Sequence, residues 1–380
     1  MAKLKTFIPN QAGAGELRVA MVPLAAKRLA ATGIELLVES RAGLAAGYDD
    51  DAYRNVGAQV VGNDGWGTAD MVLVAAPPSI EQVVQMRGGA ALAGLLAPHR
   101  NLQLIEALAR QGVSAMSLEY LPRITRAQAM DALSSQANLA GYKAVILAAE
   151  RCTKIFPLLM TAAGTLRPAE VFVIGAGVAG LQAIATARRL GAVVRAYDVR
   201  PAVKEQVQSV GAKFLELPLE IAGAQTAGGY ARELTPEQQG RQRALVADAV
   251  AASDVVITTA AVPGKPAPKL IAAEAVARMQ PGSVIVDLAA EAGGNCQLTE
   301  PGQTVVKHSV TIIGIMNVAA TVPSHASQVY ANNLANLLKL LVAADGSLKI
   351  DTTDEVIAAV LLCHGGQIVH PTLKELVTHA

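Results

Sequence analysis

Three glycines and one aspartate have the types and the spacing of a phosphate-binding turn. Gly175, Gly177 and Gly180 follow the apolar residues 171–174 in the pattern G-x-G-x-x-G, and Asp198 lies about 20 residues further on. Such glycines permit a tight turn, close approach of the backbone to a pyrophosphate, and close packing of helix on strand. The helix N-terminus would then face the phosphates, and the acid would accept hydrogen bonds from the adenosine ribose. The pattern predicts a dinucleotide site; the alternative is a tight strand–helix turn that binds no ligand.

The acid also indicates which dinucleotide would bind. A carboxylate at Asp198 would repel a 2′-phosphate, so we predict NAD(H) as the cofactor of this chain. Arg200 lies two residues beyond Asp198. Its guanidinium could pair with Asp198, stack near the adenine, or bind a 2′-phosphate.

A second polar group recurs along the segment after Pro122. Its members are spaced by three and four residues, namely Gln128, Asp131, Ser135, Asn138 and Tyr142. This spacing predicts that they share one face of a long helix. Solvated helix faces usually carry mixed lysines and glutamates, whereas this group carries a single charge. It therefore favours the wall of a cleft; the alternative is a polar face that merely bridges two domains.

Alternating strand and helix patterns must position these groups. Residues 1 to about 120 alternate without a glycine fingerprint, which indicates a separate domain. Residues 255–258 and 284–287 are predicted to be buried strands that end at the ligand edge of a parallel sheet. We predict an α/β chain of two Rossmann-like doubly wound domains, with a nucleotide cleft between them and long helices joining them. The first domain comprises residues 1–134 with 322–380, and the NAD-binding domain comprises residues 135–321.

Residues 219–234 show little apolar periodicity and contain three glycines close together. Their length and composition favour a mobile lid with Tyr230 at its tip. The alternative is a disordered surface loop.

Bulk composition excludes several classes. Hydrophobic residues make up 52% and charged residues 17% of the chain, which excludes disorder, and a net charge of +1 gives no reason to expect nucleic acid. Three widely spaced cysteines suit a reducing cytoplasm, and the histidines share no ligand spacing, so no metal is expected. No signal peptide and no membrane span are predicted, so we expect a soluble chain.

The sequence resembles the NAD(H)-binding domain I of proton-translocating transhydrogenases over nearly its whole length. The resemblance is carried by LPRITRAQAMDALSSQANLAGYKAVI, VFVIGAGVAGLQAIATARRLGAVVRAYDVRP, TAGGYA and VIVDLAAEAGGNCQLTEPG. The related alanine dehydrogenases share the two-domain architecture.

The resemblance implies roles for individual residues. Arg123, Asp131 and Ser134 would fix the carboxamide and ribose of NADH. Gln128 would reach toward the second nucleotide, and Tyr230 would close over the bound one. Further nucleotide contacts are implied at Ala129, Met130, Val178, Ala179, Asp198, Val199, Arg200, Gly229, Gln242 and Ala261. For Met130, packing in the core is the alternative.

The chain has one glycine fingerprint, so the second nucleotide would have to come on a partner. The resemblance implies that NADP(H) sits on the NADP(H)-binding domain of the transhydrogenase beta subunit. It also implies a homodimer, held at the cytoplasmic face of the inner membrane by membrane-spanning subunits that couple the reaction to proton movement.

The chemistry distinguishes the two related families. Reducing an imino or keto acid needs a proton donor and a cation, which alanine dehydrogenases supply as a lysine and a histidine. The sequence has Val74 and Leu95 at these positions, and Asn10 and Gln11 replace a Lys-Glu pair usual in relatives. Hydride transfer between two nicotinamides needs only close approach and exclusion of water. The alternatives are an alanine dehydrogenase-type enzyme and a non-catalytic NADH-binding module.

Overall fold

The computed structural model describes residues 4–13, 15–216, 235–261, 264–343 and 345–379. Contacts divide the chain into two compact units: a first unit of residues 1–136 with 320–380, and a second unit of residues 137–319. Independent folding of two domains, with boundaries after residues 134 and 321, stays a prediction.

The first unit begins with alternating strands and helices. Its strands are β1 (Lys5–Ile8), β2 (Glu35–Glu39), β3 (Gln59–Val61), β4 (Met71–Val74), β5 (Ala91–Gly94) and β6 (Ser114–Ser117). The helices between them are α1 (Pro23–Ala30), α2 (Asp50–Arg54), α3 (Gly65–Thr68), α4 (Ile80–Gln85) and α5 (Leu102–Arg110).

Helix α6 (Ala132–Arg151) leads into the second unit. The strands that follow are β7 (Leu159–Thr161), β8 (Gly164–Leu166), β9 (Glu170–Ile174), β10 (Val193–Tyr197), β11 (Lys213–Phe214), β12 (Val255–Thr258), β13 (Val284–Asp287), β14 (Thr304–Lys307) and β15 (Val310–Ile313). The helices are α7 (Val178–Arg189), α8 (Lys204–Ser209), α9 (Pro236–Ala251) and α10 (Ala273–Ala277).

The chain then completes the first unit. Its last elements are α11 (Pro323–Leu341), α12 (Glu355–Val360), β16 (Leu361–His364), β17 (Gln367–Ile368) and α13 (Pro371–His379). Among the residues that the structure describes, no helix combines the length and the apolar character that crossing a membrane requires.

The two units share one strand order. The first sheet runs β17-β16-β6-β5-β4-β1-β2-β3, and the second runs β11-β10-β9-β12-β13-β15-β14. Apart from the antiparallel edges formed by β16 with β17 and by β14, neighbouring strands are parallel. Counted from the first strand of each doubly wound sheet, both orders read 3-2-1-4-5-6, the Rossmann arrangement. The predicted fold class is therefore confirmed.

Burial explains the composition of the central strands. All four residues of β4, β12 and β13 are buried, and β9 is buried from Val171 to Ile174. Helices on both faces of a parallel sheet exclude water, so its central strands are continuous apolar runs instead of alternating ones.

The segment after Pro122 differs from the predicted long helix. Thr125–Met130 forms a 3-10 helix, and α6 begins only at Ala132. Asp131 lies between them, and its Oδ1 accepts a hydrogen bond of 2.9 Å from the backbone N–H of Ser134. An acidic side chain that accepts from the first turn caps a helix N-terminus. The prediction that Gln128 shares one helix face with Ser135 was wrong, because this cap starts a new helix.

Candidate functional site

The glycine turn (residues 175–180) joins β9 to α7 in the second unit. Gly175 has a φ of +94°, a conformation that side chains other than glycine rarely adopt. A methyl group on Gly180 would lie 1.8 Å from the carbonyl oxygen of Gly175, so only glycine permits this approach of helix to strand. A methyl group on Gly177 would meet no non-neighbouring atom of the described residues within 4 Å. The turn is thus closed at its first and third glycines and open at its second.

Helix α7 begins directly at the open glycine. Gly177 is its N-cap and offers no side-chain cap. The first N–H groups of a helix have no acceptor within it, and the helix dipole favours an anion there. The positions predicted as contacts at this end, Val178 and Ala179, therefore form a backbone cradle of the kind that binds a phosphate.

Asp198 lies just beyond β10 and its carboxylate is saturated with donors. The backbone N–H of Ala176 donates to Oδ2 at 2.7 Å, which ties the acid to the glycine turn. Arg200 donates from its backbone N and from Nε to Oδ1, both at 2.9 Å, and from Nη2 to Oδ2 at 2.8 Å. Of the roles considered for Arg200, the structure shows the ion pair, and hydrogen bonding to Asp198 raises the pKa of Arg200. A ribose at Asp198 would have to share or replace these donors.

The other predicted contacts of the second unit surround this turn along the chain. Val199 packs against the apolar cluster that contains Tyr197 and Val246, and Gln242 is buried on α9. Ala261 is exposed beyond the end of β12. Tyr230 and Gly229, with the predicted lid at 219–234, lie outside the described residues.

In the first unit, the first-unit loop (residues 123–131) is anchored to the C-terminal part of the chain. The carbonyl oxygen of Ala129 accepts hydrogen bonds from the side-chain amides of Asn333 (3.0 Å) and Asn336 (3.2 Å) on α11. Arg126 binds Asp354 through two hydrogen bonds of 2.7 and 3.0 Å. The loop is therefore fixed at two points before any ligand is considered.

The four predicted catalytic residues of this loop and of α6 differ in their surroundings. The hydroxyl of Ser134 donates to Oδ2 of Asp131 at 2.5 Å, so these two side chains are brought together. Arg123 and Gln128 are exposed. Met130 is buried in the hydrophobic core, which is the packing role named as its alternative.

A buried ion pair occupies the interior of the first unit near β4. Arg18 donates to Glu16 from Nε (2.8 Å) and Nη2 (2.7 Å), and each side chain is 7% exposed. Nη1 of Arg18 also donates to Gln136 at 2.9 Å. Bidentate pairing of this kind satisfies both charges together. This buried cation is therefore neutralised by the protein itself.

The positions that depart from the related families have structural partners. The hydroxyl of Tyr330 donates to the carbonyl of Val74 at 2.6 Å and accepts from the backbone N–H of Leu95 at 3.0 Å. Gln11 accepts from the backbone N–H of Ala75 at 2.7 Å and donates to the carbonyl of Ala76, also at 2.7 Å. Gln11 thus holds the residues that follow β4.

Sequence reasoning did not select Thr259, which packs on the glycine turn. Its hydroxyl donates to the carbonyl of Gly175 at 3.0 Å. A methyl group on Gly175 would lie 2.5 Å from this hydroxyl oxygen. The available signal was its place directly after β12, where a parallel sheet presents its ligand edge.

Two doubly wound α/β units, one with a glycine turn and an acid after its second strand, define a Rossmann-type nucleotide-binding protein. Family models for alanine dehydrogenase/PNT match the chain twice, the N-terminal domain over residues 7–140 and the C-terminal domain over residues 144–371. The chain belongs to the alanine dehydrogenase/PNT family, which confirms the resemblance inferred from the sequence.

Individual relatives place the chain on the transhydrogenase side of this family. It is 46% identical over 379 residues to the first of the separate alpha-subunit chains of the NAD(P) transhydrogenase of Rhodospirillum rubrum, covering 97% of this chain and 99% of that one. A solved transhydrogenase from Sinorhizobium meliloti is 45% identical, with a TM-score of 0.88 over 96% of this chain and 100% of that one. A solved L-alanine dehydrogenase is 26% identical, with a TM-score of 0.83 over 99% of each chain.

Proposed function

We propose that the chain is the NAD(H)-binding subunit of a proton-translocating NAD(P) transhydrogenase. It binds NAD(H) and passes hydride directly between NADH and NADP⁺ held on a partner domain. A membrane component couples this exchange to proton translocation, so the chain is active only together with partner subunits.

The observation that carries the proposal is the glycine turn with its acid. Gly177 leaves open the space that a pyrophosphate needs, and the N-terminus of α7 points its first N–H groups there. The residues present therefore fit a dinucleotide. The negative charge of Asp198 favours NAD(H) over NADP(H), because it would oppose a 2′-phosphate.

The first unit supports hydride exchange over amino-acid oxidation. An amino-acid dehydrogenase needs a cation for the substrate carboxylate and a group that transfers a proton. Here Arg18 is neutralised by Glu16, and apolar Val74 and Leu95 stand at the positions where alanine dehydrogenases have a lysine and a histidine. Hydride transfer between nicotinamides needs orientation and a dry site, which uncharged surroundings provide.

Within this proposal the chain's residues bind and orient. Arg123, Asp131 and Ser134 hold the carboxamide and ribose of the nicotinamide half, and the Ser134–Asp131 hydrogen bond fixes these two side chains relative to each other. Gln128, which is exposed, reaches toward the NADP(H) of the partner. Tyr230 closes over the bound nucleotide and excludes water.

The partners follow from the proposed reaction. NADP(H) is bound by the beta subunit, and membrane-spanning subunits hold the chain at the cytoplasmic face of the inner membrane. The names of the curated relatives, which call them subunit alpha, support a multi-subunit assembly.

A hairpin on the second unit supports the proposed homodimer. Strands β7 and β8 form a sheet of their own, and all six of their residues are exposed, including Met160 at 75% and Leu166 at 50%. An isolated hairpin is marginally stable in water, so an apolar one needs a covering surface. Residues 155–166 carry no charge, and the net charge of +1 does not oppose self-association. A second copy, whose own hairpin is equally apolar, fits this surface in a two-fold arrangement.

The experiment mixes the purified chain with a separately purified NADP(H)-binding domain and follows hydride exchange between NADH and an oxidised NADP⁺ analogue. Rapid exchange that requires both proteins supports the proposal. Tight NADH binding without exchange would instead support a non-catalytic NADH-binding module.

A second candidate, an NAD-dependent alanine dehydrogenase, is favoured by the structural match to L-alanine dehydrogenase. Incubating the chain alone with L-alanine and NAD⁺ separates the two functions. Turnover in that assay would replace the proposed function.

A further inference from the structure

A buried amide joins two segments at the carboxyl edge of the second sheet. Asn295 is 0% exposed, and its Oδ1 accepts the backbone N–H of Ala260 at 3.1 Å. Its Nδ2 donates to the carbonyl oxygens of Ala260 (2.8 Å) and Pro268 (2.9 Å). One side chain thus satisfies both backbone groups of Ala260, the second residue after β12.

Asn295 is itself held by a buried carboxylate. Asp287, at the end of β13, is 0% exposed and accepts four hydrogen bonds. Its donors are the hydroxyl of Thr258 (2.9 Å), the N–H of Ala289 (3.0 Å), the N–H of Cys296 (3.0 Å) and the hydroxyl of Thr299 (2.7 Å). The Cys296 N–H belongs to the peptide bond that follows Asn295, so Asp287 fixes the backbone next to that amide. Thr258 connects the same carboxylate back to the end of β12.

The segment held by Asn295 packs against the glycine turn. A methyl group on Gly175 would lie 3.2 Å from the backbone nitrogen of Ala260 and 2.5 Å from the hydroxyl oxygen of Thr259. The Thr259 hydroxyl also donates to the Gly175 carbonyl at 3.0 Å. A shift of Ala260 would therefore move the surface on which the glycine turn rests.

We propose that Asn295 is a positioning residue for the dinucleotide site. It holds Ala260, and with it Ala261, against the glycine turn before the nucleotide arrives. This inference rests on the proposed function only in taking NADH as the ligand, since it concerns binding and not transfer to a partner.

The expected consequence follows from preorganisation. If the binding-competent loop is populated only in part, the apparent Kd rises by the inverse of that fraction, while saturating ligand restores the competent form. Loss of the Asn295 contacts therefore raises the Kd and the KM for NADH and leaves kcat unchanged.

The test compares Asn295→Ala with Asn101→Ala in the otherwise complete chain. Asn101 is a matched control in the first unit, because its Nδ2 also donates to two backbone carbonyls, those of Leu96 (2.9 Å) and Ala97 (3.2 Å). The Kd for NADH is measured by the fluorescence of the bound nucleotide, and unfolding is followed in parallel. We expect Asn295→Ala to raise the Kd about tenfold, with kcat for hydride exchange within about twofold of the wild type. Asn101→Ala should leave the Kd unchanged.

A Kd unaltered in Asn295→Ala, or raised equally in Asn101→Ala, would overturn the inference. Hydrogen exchange of the wild-type chain tests it without any variant. The N–H of Ala260 should exchange slowly in the nucleotide-free protein, because Asn295 already binds it, and rapid exchange there would also overturn the inference. A wild type that binds NADH but transfers no hydride would refute the proposed function and leave this inference intact.

Discussion

The two units have the same sheet order but treat its carboxyl edge in opposite ways. In the first unit, side chains fill that edge: Gln11 follows β1 and holds Ala75 and Ala76, and the Glu16–Arg18 pair is buried nearby. In the second unit, glycine backbone follows β9, and Gly177 leaves open space. One topology therefore supports a closed edge and an open one, and the loops decide which.

The comparison also shows one device used twice. In each unit an amide side chain binds the residues directly after the fourth strand: Gln11 binds Ala75 and Ala76 after β4, and Asn295 binds Ala260 after β12. An amide can accept from one backbone group and donate to another, so it replaces the strand partner that the loop lacks. Only the second unit combines this device with a glycine turn.

The largest expected effect breaks the closed part of the glycine turn. Gly180→Ala places a methyl group 1.8 Å from the Gly175 carbonyl, so the free energy of unfolding should fall by about 3 kcal/mol. NADH binding should be lost with it. Gly177→Ala is the matched control, since its φ of −77° suits alanine and space is open. It should leave denaturant unfolding unchanged but weaken NADH binding about tenfold, because the methyl group enters the pyrophosphate space. Equal unfolding curves for the two variants would contradict this account of the turn.

A second prediction opens the closed edge of the first unit. Glu16→Gln leaves the buried Arg18 without its counter-charge, so the free energy of unfolding should fall by about 3 kcal/mol. The exposed pair of Arg54 with Asp51 supplies the control. Asp51→Asn should change that free energy by less than about 1 kcal/mol, since exposed ion pairs contribute little. A similar loss in both variants would mean that burial of the Glu16–Arg18 pair has no energetic role.

A third prediction concerns the apolar hairpin of the second unit. Met160→Asp should weaken self-association by about 2 kcal/mol, because a charge replaces an apolar side chain in the proposed interface. Sedimentation velocity over a range of chain concentrations measures this shift. Val306→Asp is the control on the same unit, since Val306 is 66% exposed but lies on β14. A chain that is monomeric as wild type would remove the proposed homodimer.

The smallest expected effect concerns the choice of cofactor. Asp198→Asn keeps the side-chain shape and removes its charge, so NADH affinity should fall about tenfold and the preference over NADPH should narrow. The control is Asp248→Asn, because Asp248 is also paired with an arginine but is 75% exposed. Titrations with both nucleotides give the ratio. An unchanged preference would show that Asp198 does not select between them.

Sequence patterns predicted the second sheet well because its signals are local. The apolar run of β9, the three glycines and the acid after β10 all depend on neighbours within one βαβ unit. The segment after Pro122 was harder for the same reason. Its polar spacing matched a helix, but the Asp131 cap and the contacts of Ala129 with α11 end one element and begin another.

The sequence by itself determined the fold class, the family and the position of the glycine turn, because periodicity and backbone freedom are properties of consecutive residues. Only the tertiary structure decided which polar groups satisfy one another. Asn295 meets Ala260 across 35 residues, and Gln136 meets Arg18 across 118. Such pairs depend on how distant strands and loops come together, and a buried polar group must find a partner wherever the fold places it.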